Sequence, residues 1–215
     1  MYANAETFPS LPEVLASRPP ASPGRRRQVG PCCINPRGLD RFNELLASLG
    51  QAVPLACDQI VTAARLLEDE PGAPLAPPPC IGLRLAGAEP LARLAVDEGW
   101  EAGGAPLKDV QAVLHYLLSP DDLIPDWVPR VGRLDDAIVI DRAWPRIGEE
   151  VAGYLDFCRL RLLEAGLRGE RPGRFRFTRD EWRVSRQAEA ELRAHQRAVR
   201  AGSYLPAGAN RFRVH

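Results

Sequence analysis

Residues 115–136 read HYLLSPDDLIPDWVPRVGRLDD, with three prolines, five aspartates and one glycine set among apolar residues. No other stretch restricts the backbone so tightly. Pro120 pushes Ser119 out of the helical region, so a helix running through Leu117 and Leu118 must end there. Asp121 and Asp122 can then accept from free N–H groups of the following turn. Leu123 and Ile124 are expected inside. Pro125, Asp126, Trp127, Val128 and Pro129 form a second rigid turn, with Asp126 placed to cap and Trp127 to pack. Gly132 marks a position where a positive φ is expected. Asp135 and Asp136 should open a long helix, where its positive end favours acids. One N-cap is worth roughly 1 kcal/mol, so several in one loop would fix the angle between the flanking helices.

The rest of the chain divides by composition. Of 28 basic residues only Lys108 is a lysine, which reflects a GC-rich coding bias. The net charge is zero but uneven: residues 1–88 balance, residues 89–164 carry −7 and residues 165–215 carry +7. Such halves attract each other or address different partners. The 21 prolines lie mostly before residue 130, and residues 1–37 are expected to be disordered. The run Arg25, Arg26, Arg27 is expected to be solvated. Five cysteines without a CxxC pair, and with no histidine at zinc-finger spacing, point to reduced thiols in the cytoplasm. No signal peptide and no apolar run of membrane-spanning length is apparent.

Helical periodicity appears first at Leu39, Phe42, Leu45, Leu46 and Leu49, closed by Gly50. Pro54 is placed to open a second helix, through Ile60 and Leu67. Residues 71–79 (PGAPLAPPP) read as a polyproline-like linker, and residues 80–86 (CIGLRLA) as a short strand. A short helix is expected over residues 89–98. Pro106 starts the helix that enters the opening stretch, with an apolar face at Leu107, Val110, Val113, Leu114 and Leu117. After Asp136 a long amphipathic helix follows, in which Pro145 must cause a kink or a split. Thr178 and Glu181 form a capping box for a last helix ending near Arg200. Its apolar stripe (Trp182, Ala188, Leu192, Val199) is too thin to build a core. Residues 201–215 read as a loose tail.

The motif Ser119, Pro120, Asp122, Leu123, Ile124, Pro125, Asp126, Pro129, Gly132, Asp135, Asp136 resembles the signature of the YkvA-like family, a bacterial domain of unknown function with the pattern SPxDLIPDxxPxxGxxDD. The resemblance covers about residues 106–140. It implies an α-helical domain from a family often associated with membranes, and brings no reaction and no catalytic residues. Asp121 stands where that pattern usually has a hydrophobe. The helix after Asp136 carries Asp141, Arg142, Arg146, Glu149 and Glu150, charges that bar it from crossing a bilayer.

The expectation is an all-α protein: a disordered segment (1–37), a helical domain (38–166, with the proline-rich linker inside it) and a basic C-terminal helix and tail (167–215). Function is expected to be non-catalytic, an interaction or regulatory module that docks a protein partner through the last helix, in the cytoplasm or peripherally at the inner membrane. One alternative gathers Asp122, Asp126, Asp135 and Asp136, with His115, around Mg²⁺ or Mn²⁺ for phosphoester hydrolysis. Against it, capping explains the same acids, and no HExxH, P-loop or GxSxG occurs. Another places anionic lipid or nucleic acid on Arg174, Arg176, Arg179, Arg183, Arg186, Arg193, Arg197 and Arg200, with Phe175 and Phe177 between the first few. Glu181, Glu189 and Glu191 interrupt that patch, and no nucleic-acid fold signature accompanies it.

Overall fold

The computed structural model describes residues 8–17, 27–73, 75–171 and 173–202. It is mostly helical. A 3₁₀ turn, Glu13–Leu15, precedes a minimal antiparallel ladder of β1 (Gln28–Val29) and β2 (Cys32–Cys33). The helices follow: α1 (Pro36–Ser48), α2 (Cys57–Glu68), α3 (Pro79–Leu85), α4 (Ala88–Val96), α5 (Gly104–Leu117), α6 (Leu134–Leu167) and α7 (Arg179–Gly202). Among the described residues, no helix is long and apolar enough to cross a membrane.

The expected disorder over residues 1–37 lies partly outside the described residues, as do Arg25, Arg26 and the tail beyond residue 202. The described parts of that segment are structured. Leu15, Val29 and Ile34 are buried, and the buried Gln59 of α2 donates to the carbonyls of Val14 and Ser17, both at 2.9 Å. Apolar burial and a satisfied amide hold this segment against α2.

α1 begins where Asn35 caps Arg37 N–H at 3.0 Å, with Pro36 in its first turn. It ends at Gly50, whose φ of +99° suits a residue without Cβ. Pro54 does not open α2. Asn43 pins the intervening loop by bonding both ways with Leu55, at 2.8 and 3.0 Å. The helix starts at Cys57, where Gln59 Oε1 accepts from Ala56 N–H at 2.8 Å. The short strand expected over 80–86 is instead α3. Pro79, with its fixed φ, starts that helix, and Cys80, Ile81 and Arg84 face inward at helical spacing.

The chain forms two compact units. The first takes the described residues up to Glu98 together with Ala102–Asp156; the second takes Gly99–Glu101 and the residues from Phe157 on. In the first unit, Ala137, Ile138, Val139 and Ile140 are consecutive and all buried. A helix buried all round at that point must be a central element of its unit. α6 runs unbroken through Pro145, so of the expected kink or split the split does not occur.

The second unit has an aromatic core. Trp100 packs on Phe157 at 5.3 Å and on Trp182 at 5.1 Å, and Phe157 stacks on Phe177 at 5.4 Å. Arg179 sits 4.2 Å over the Trp100 ring and donates its N–H to Gly99 at 2.8 Å. The last turns of α6, from Phe157 on, therefore belong with this cluster. Phe175 and Phe177 are 8% and 5% exposed. They are core residues of this unit, not part of the exposed arginine surface.

Candidate functional site

The corner between α5 and α6 is built around Asp135. α5 stops at Leu117; Leu118 N–H still reaches Leu114 at 3.1 Å, and Ser119 N–H reaches Tyr116 at 3.0 Å. Ser119 Oγ then accepts from Asp121 N–H at 3.1 Å. Asp135, 1% exposed in the first turn of α6, turns its Oδ2 back across the loop. That oxygen accepts from Tyr116 O–H at 2.6 Å, Leu123 N–H at 2.9 Å and Ile124 N–H at 3.1 Å. The capping expected of Asp121 and Asp122 is thus done by Asp135. With their N–H groups satisfied, Leu123 and Ile124 put their side chains inside, as expected, and Val128 and Val131 are buried with them.

Gly132 is required for a different reason from the one expected. Its φ is not positive; the positive-φ residue here is Arg130, at 65°. A Cβ on Gly132 would stand 2.6 Å from the carbonyl oxygens of Asp126 and Val128, and 2.7 Å from that of Pro125. Pro125 and Pro129 shape the turn that brings those carbonyls together, with Val128 N–H bonded to Pro125 at 2.9 Å and Gly132 N–H to Val128 at 3.0 Å. Trp127 does not pack inside. It is 66% exposed and lines a shallow cleft with Leu75 and Pro77.

The five aspartates do not meet at one point. Asp136 Oδ2 accepts from Arg133 Nε at 2.8 Å, and Asp126 lies 3.4 Å from the same nitrogen. Asp121 pairs with Arg41 of α1 at 3.1 Å, both side chains well exposed. His115 is exposed and shares a cleft of about 280 Å³ with Asp121, Arg41 and Tyr116, apart from the other acids. Among the described residues no three His, Cys, Asp or Glu side chains gather so as to hold a metal ion. The donor set required for Mg²⁺ or Mn²⁺ on Asp122, Asp126, Asp135 and Asp136 is therefore not assembled.

The electrostatics follow the burial. Burial pushes the Asp135 carboxyl up to about 6, against the hydrogen bonds from Tyr116 and Ile124 that favour its charged form. Burial, then the charge of Asp135, pushes Asp136 up to about 7, with Arg133 opposing. Asp122 is raised more mildly, by burial and then by Asp126. Burial alone would lower Arg133, but the hydrogen bond to Asp136 and the charges of Asp136, Asp126 and Asp122 leave it raised. The Tyr116 hydroxyl is pushed upward by burial and by Asp135, so it stays a donor. A raised carboxyl is the usual property of a general acid. Here the two most strongly raised carboxyls, Asp135 and Asp136, are buried at 1% and 2% exposure, beyond the reach of a substrate atom, while Asp122 is half-buried.

Two important residues escaped the sequence reading. Tyr116 sits within the opening stretch but carries no motif signal. Arg130 donates to the carbonyls of Leu67 at 3.2 Å, Glu70 at 2.8 Å and Ala73 at 3.0 Å, closing the C-terminal end of α2. A cation there complements the helix dipole. No local pattern reports a bond across some sixty residues of chain.

A mostly helical protein organised on a proline- and aspartate-built corner is the class that fold and site define. Residues 110–140, spanning most of α5, the corner and the first turns of α6, match the model of a family described as a protein of unknown function, DUF1232. That match is consistent with the YkvA-like resemblance. No curated protein and no solved structure matches the chain.

Proposed function

We propose that the protein is a non-catalytic interaction module, a helical scaffold that meets a protein partner through α7. The observation that carries this reading is the exposure of that helix. Every described side chain from Glu191 to Ala201 is exposed, and Val184 and Leu192 stand 70% and 56% open to solvent. A helix of this length gains most of its stability in proteins from packing an apolar face, and this one packs mainly at its first turns. Four of the five acids of the corner, by contrast, hold the backbone or two arginines: Asp135 the loop, Asp121 Arg41, and Asp126 and Asp136 Arg133. Arginines on an exposed helix suit an acidic partner surface and make association faster at low salt. No disulfide joins the five cysteines, which suits a reducing compartment. We place the protein in the cytoplasm, with any contact at the inner membrane peripheral.

The test is quantitative crosslinking in the native cell. The full-length chain is compared with the Val184→Glu/Leu192→Glu double variant, with melting temperature as the folding control. Loss of specific crosslinked partners from a variant that melts normally is the expected result. An unchanged partner set overturns the assignment to α7.

A further inference from the structure

A cleft of about 570 Å³ in the first unit is separate from the corner and unused by the reading above. Its volume falls in the roughly 300–1,000 Å³ range of small-molecule sites. Phe8 and Trp144 form an aromatic wall, edge to face with ring centroids 5.4 Å apart. Arg84, Asp141, Arg142 and Gln51 bring polar groups to the same space.

The polar groups divide into those with partners and those without. Arg84 and Asp141 neutralise each other, with Nη2 at 2.6 Å and Nε at 3.0 Å from one carboxylate oxygen. The remaining Arg84 amino group donates to the carbonyls of Pro9 and Cys80, each at 2.8 Å. Arg142 differs. Its Nη2 reaches only the Leu15 carbonyl, at 3.3 Å, and it has no carboxylate partner among the described residues. Its Nε is buried without an acceptor. Gln51 donates its amide nitrogen to Val53 at 2.7 Å, which assigns the amide, and its Oε1 is buried without a donor. Trp144 Nε1 is a third buried, unpartnered polar atom on the same lining.

Buried polar atoms almost always find a partner, and each one left without costs about 1–3 kcal/mol. Two of these atoms, Arg142 Nε and Gln51 Oε1, call for something in the cleft that bonds to them, whereas Trp144 Nε1 lies beside Gly148 of its own helix. The charge narrows the class. With Arg84 cancelled by Asp141, Arg142 leaves one positive charge uncompensated among the described residues, which matches a monoanion. The Asp141 carboxylate would oppose a dianion such as a phosphomonoester. We propose that this cleft binds a small monocarboxylate with an aromatic or apolar body and one hydrogen-bond donor: carboxylate on Arg142, ring against Phe8 and Trp144, donor on Gln51 Oε1.

The test is calorimetric titration of the full chain with para-hydroxybenzoate, para-hydroxybenzamide, benzoate and phenyl phosphate. The hydroxybenzoate is expected to bind with a dissociation constant below about 1 mM, and the neutral amide, the donorless benzoate and the dianion each about tenfold more weakly. Arg142→Gln and Gln51→Leu should each weaken the hydroxybenzoate about tenfold. Ala52→Trp fills the cleft from an exposed lining position and leaves the polar groups in place, so it separates loss of the site from loss of the fold. It should abolish binding while the melting temperature holds within about 3 °C. The proposal is overturned by no binding of hydroxybenzoate at about 10 mM, by equal binding of the amide, or by normal binding to a folded Ala52→Trp protein.

Discussion

The corner and α7 are both dense in charge, yet their charges serve opposite ends. In the corner, one oxygen of Asp135 takes two N–H donors from a loop that would otherwise bury them bare, and a third donor, the Tyr116 hydroxyl, from α5. On α7, Glu189 pairs with Arg186 and Arg193, and Asp180 with Arg183, all within one turn along the helix surface. Removing one partner of a buried polar network leaves the other groups desolvated and unpaired. An exposed ion pair exchanges contacts with water at almost no net gain. A carboxylate thus decides the chain's path where it is buried and only the surface chemistry where it is exposed.

The sharpest way to break that contrast is at a residue with no charge. Gly132→Ala would force a Cβ against three backbone carbonyls at 2.6–2.7 Å, and backbone cannot swing aside as a side-chain end can. We expect a loss of about 3–5 kcal/mol in urea unfolding. Gly166→Ala near the end of α6 is the control, since its Cβ would meet nothing within 4 Å. It should gain about 0.5–1 kcal/mol from helix propensity. If Gly132→Ala is as harmless as Gly166→Ala, the corner is not the rigid element described here.

A smaller effect should appear on changing pH. Asp135 and Asp136 have folded-state values raised to about 6 and about 7, above those of an unfolded chain. The folded protein therefore holds more protons between those limits. Their contribution to stability is fully present below about pH 4 and is lost as pH rises through 6 and 7. From pH 5 to pH 8 we expect a loss on the order of 2 kcal/mol, read as a falling melting temperature. Asp136→Asn should flatten that slope, because its amide cannot ionise. A melting temperature that rises between pH 5 and pH 8 would show that the buried pair is not raised.

These two regions also differ in how far the sequence revealed them. The last helix was legible almost completely, since Thr178, Glu181 and the charge spacing are local signals. The corner was legible as a corner, from its prolines, and Asp135 and Asp136 as acids of a helix start. Its internal assignments were not. Which aspartate caps the loop depends on Tyr116 and on a backbone that folds back toward α6, and that is tertiary information. Trp127 was expected inside because large aromatics usually are, but the Pro125–Pro129 turn directs it outward. α3 is a helix where a strand is expected, because seven residues after a proline run are too few to separate helical from strand periodicity. Arg84 with Asp141, and Arg130 with the end of α2, join residues 57 to 63 positions apart. No sequence pattern carries such pairs.

The smallest expected effects lie on α7, and they rank its own contacts. Thr178 and Glu181 form a reciprocal cap: Thr178 N–H donates to Glu181 at 2.7 Å, and Glu181 N–H to Thr178 Oγ1 at 3.3 Å. Thr178→Ala should cost about 1 kcal/mol in urea unfolding, because it leaves a helix-end donor with no other partner among the described residues. Glu189→Ala removes two ion pairs and should still cost less than about 0.5 kcal/mol, shrinking further in high salt. The order matters more than either value. If Glu189→Ala costs more than Thr178→Ala and keeps that cost at high salt, the α7 charges are not solvated surface pairs. Helix and corner would then be held by the same physics.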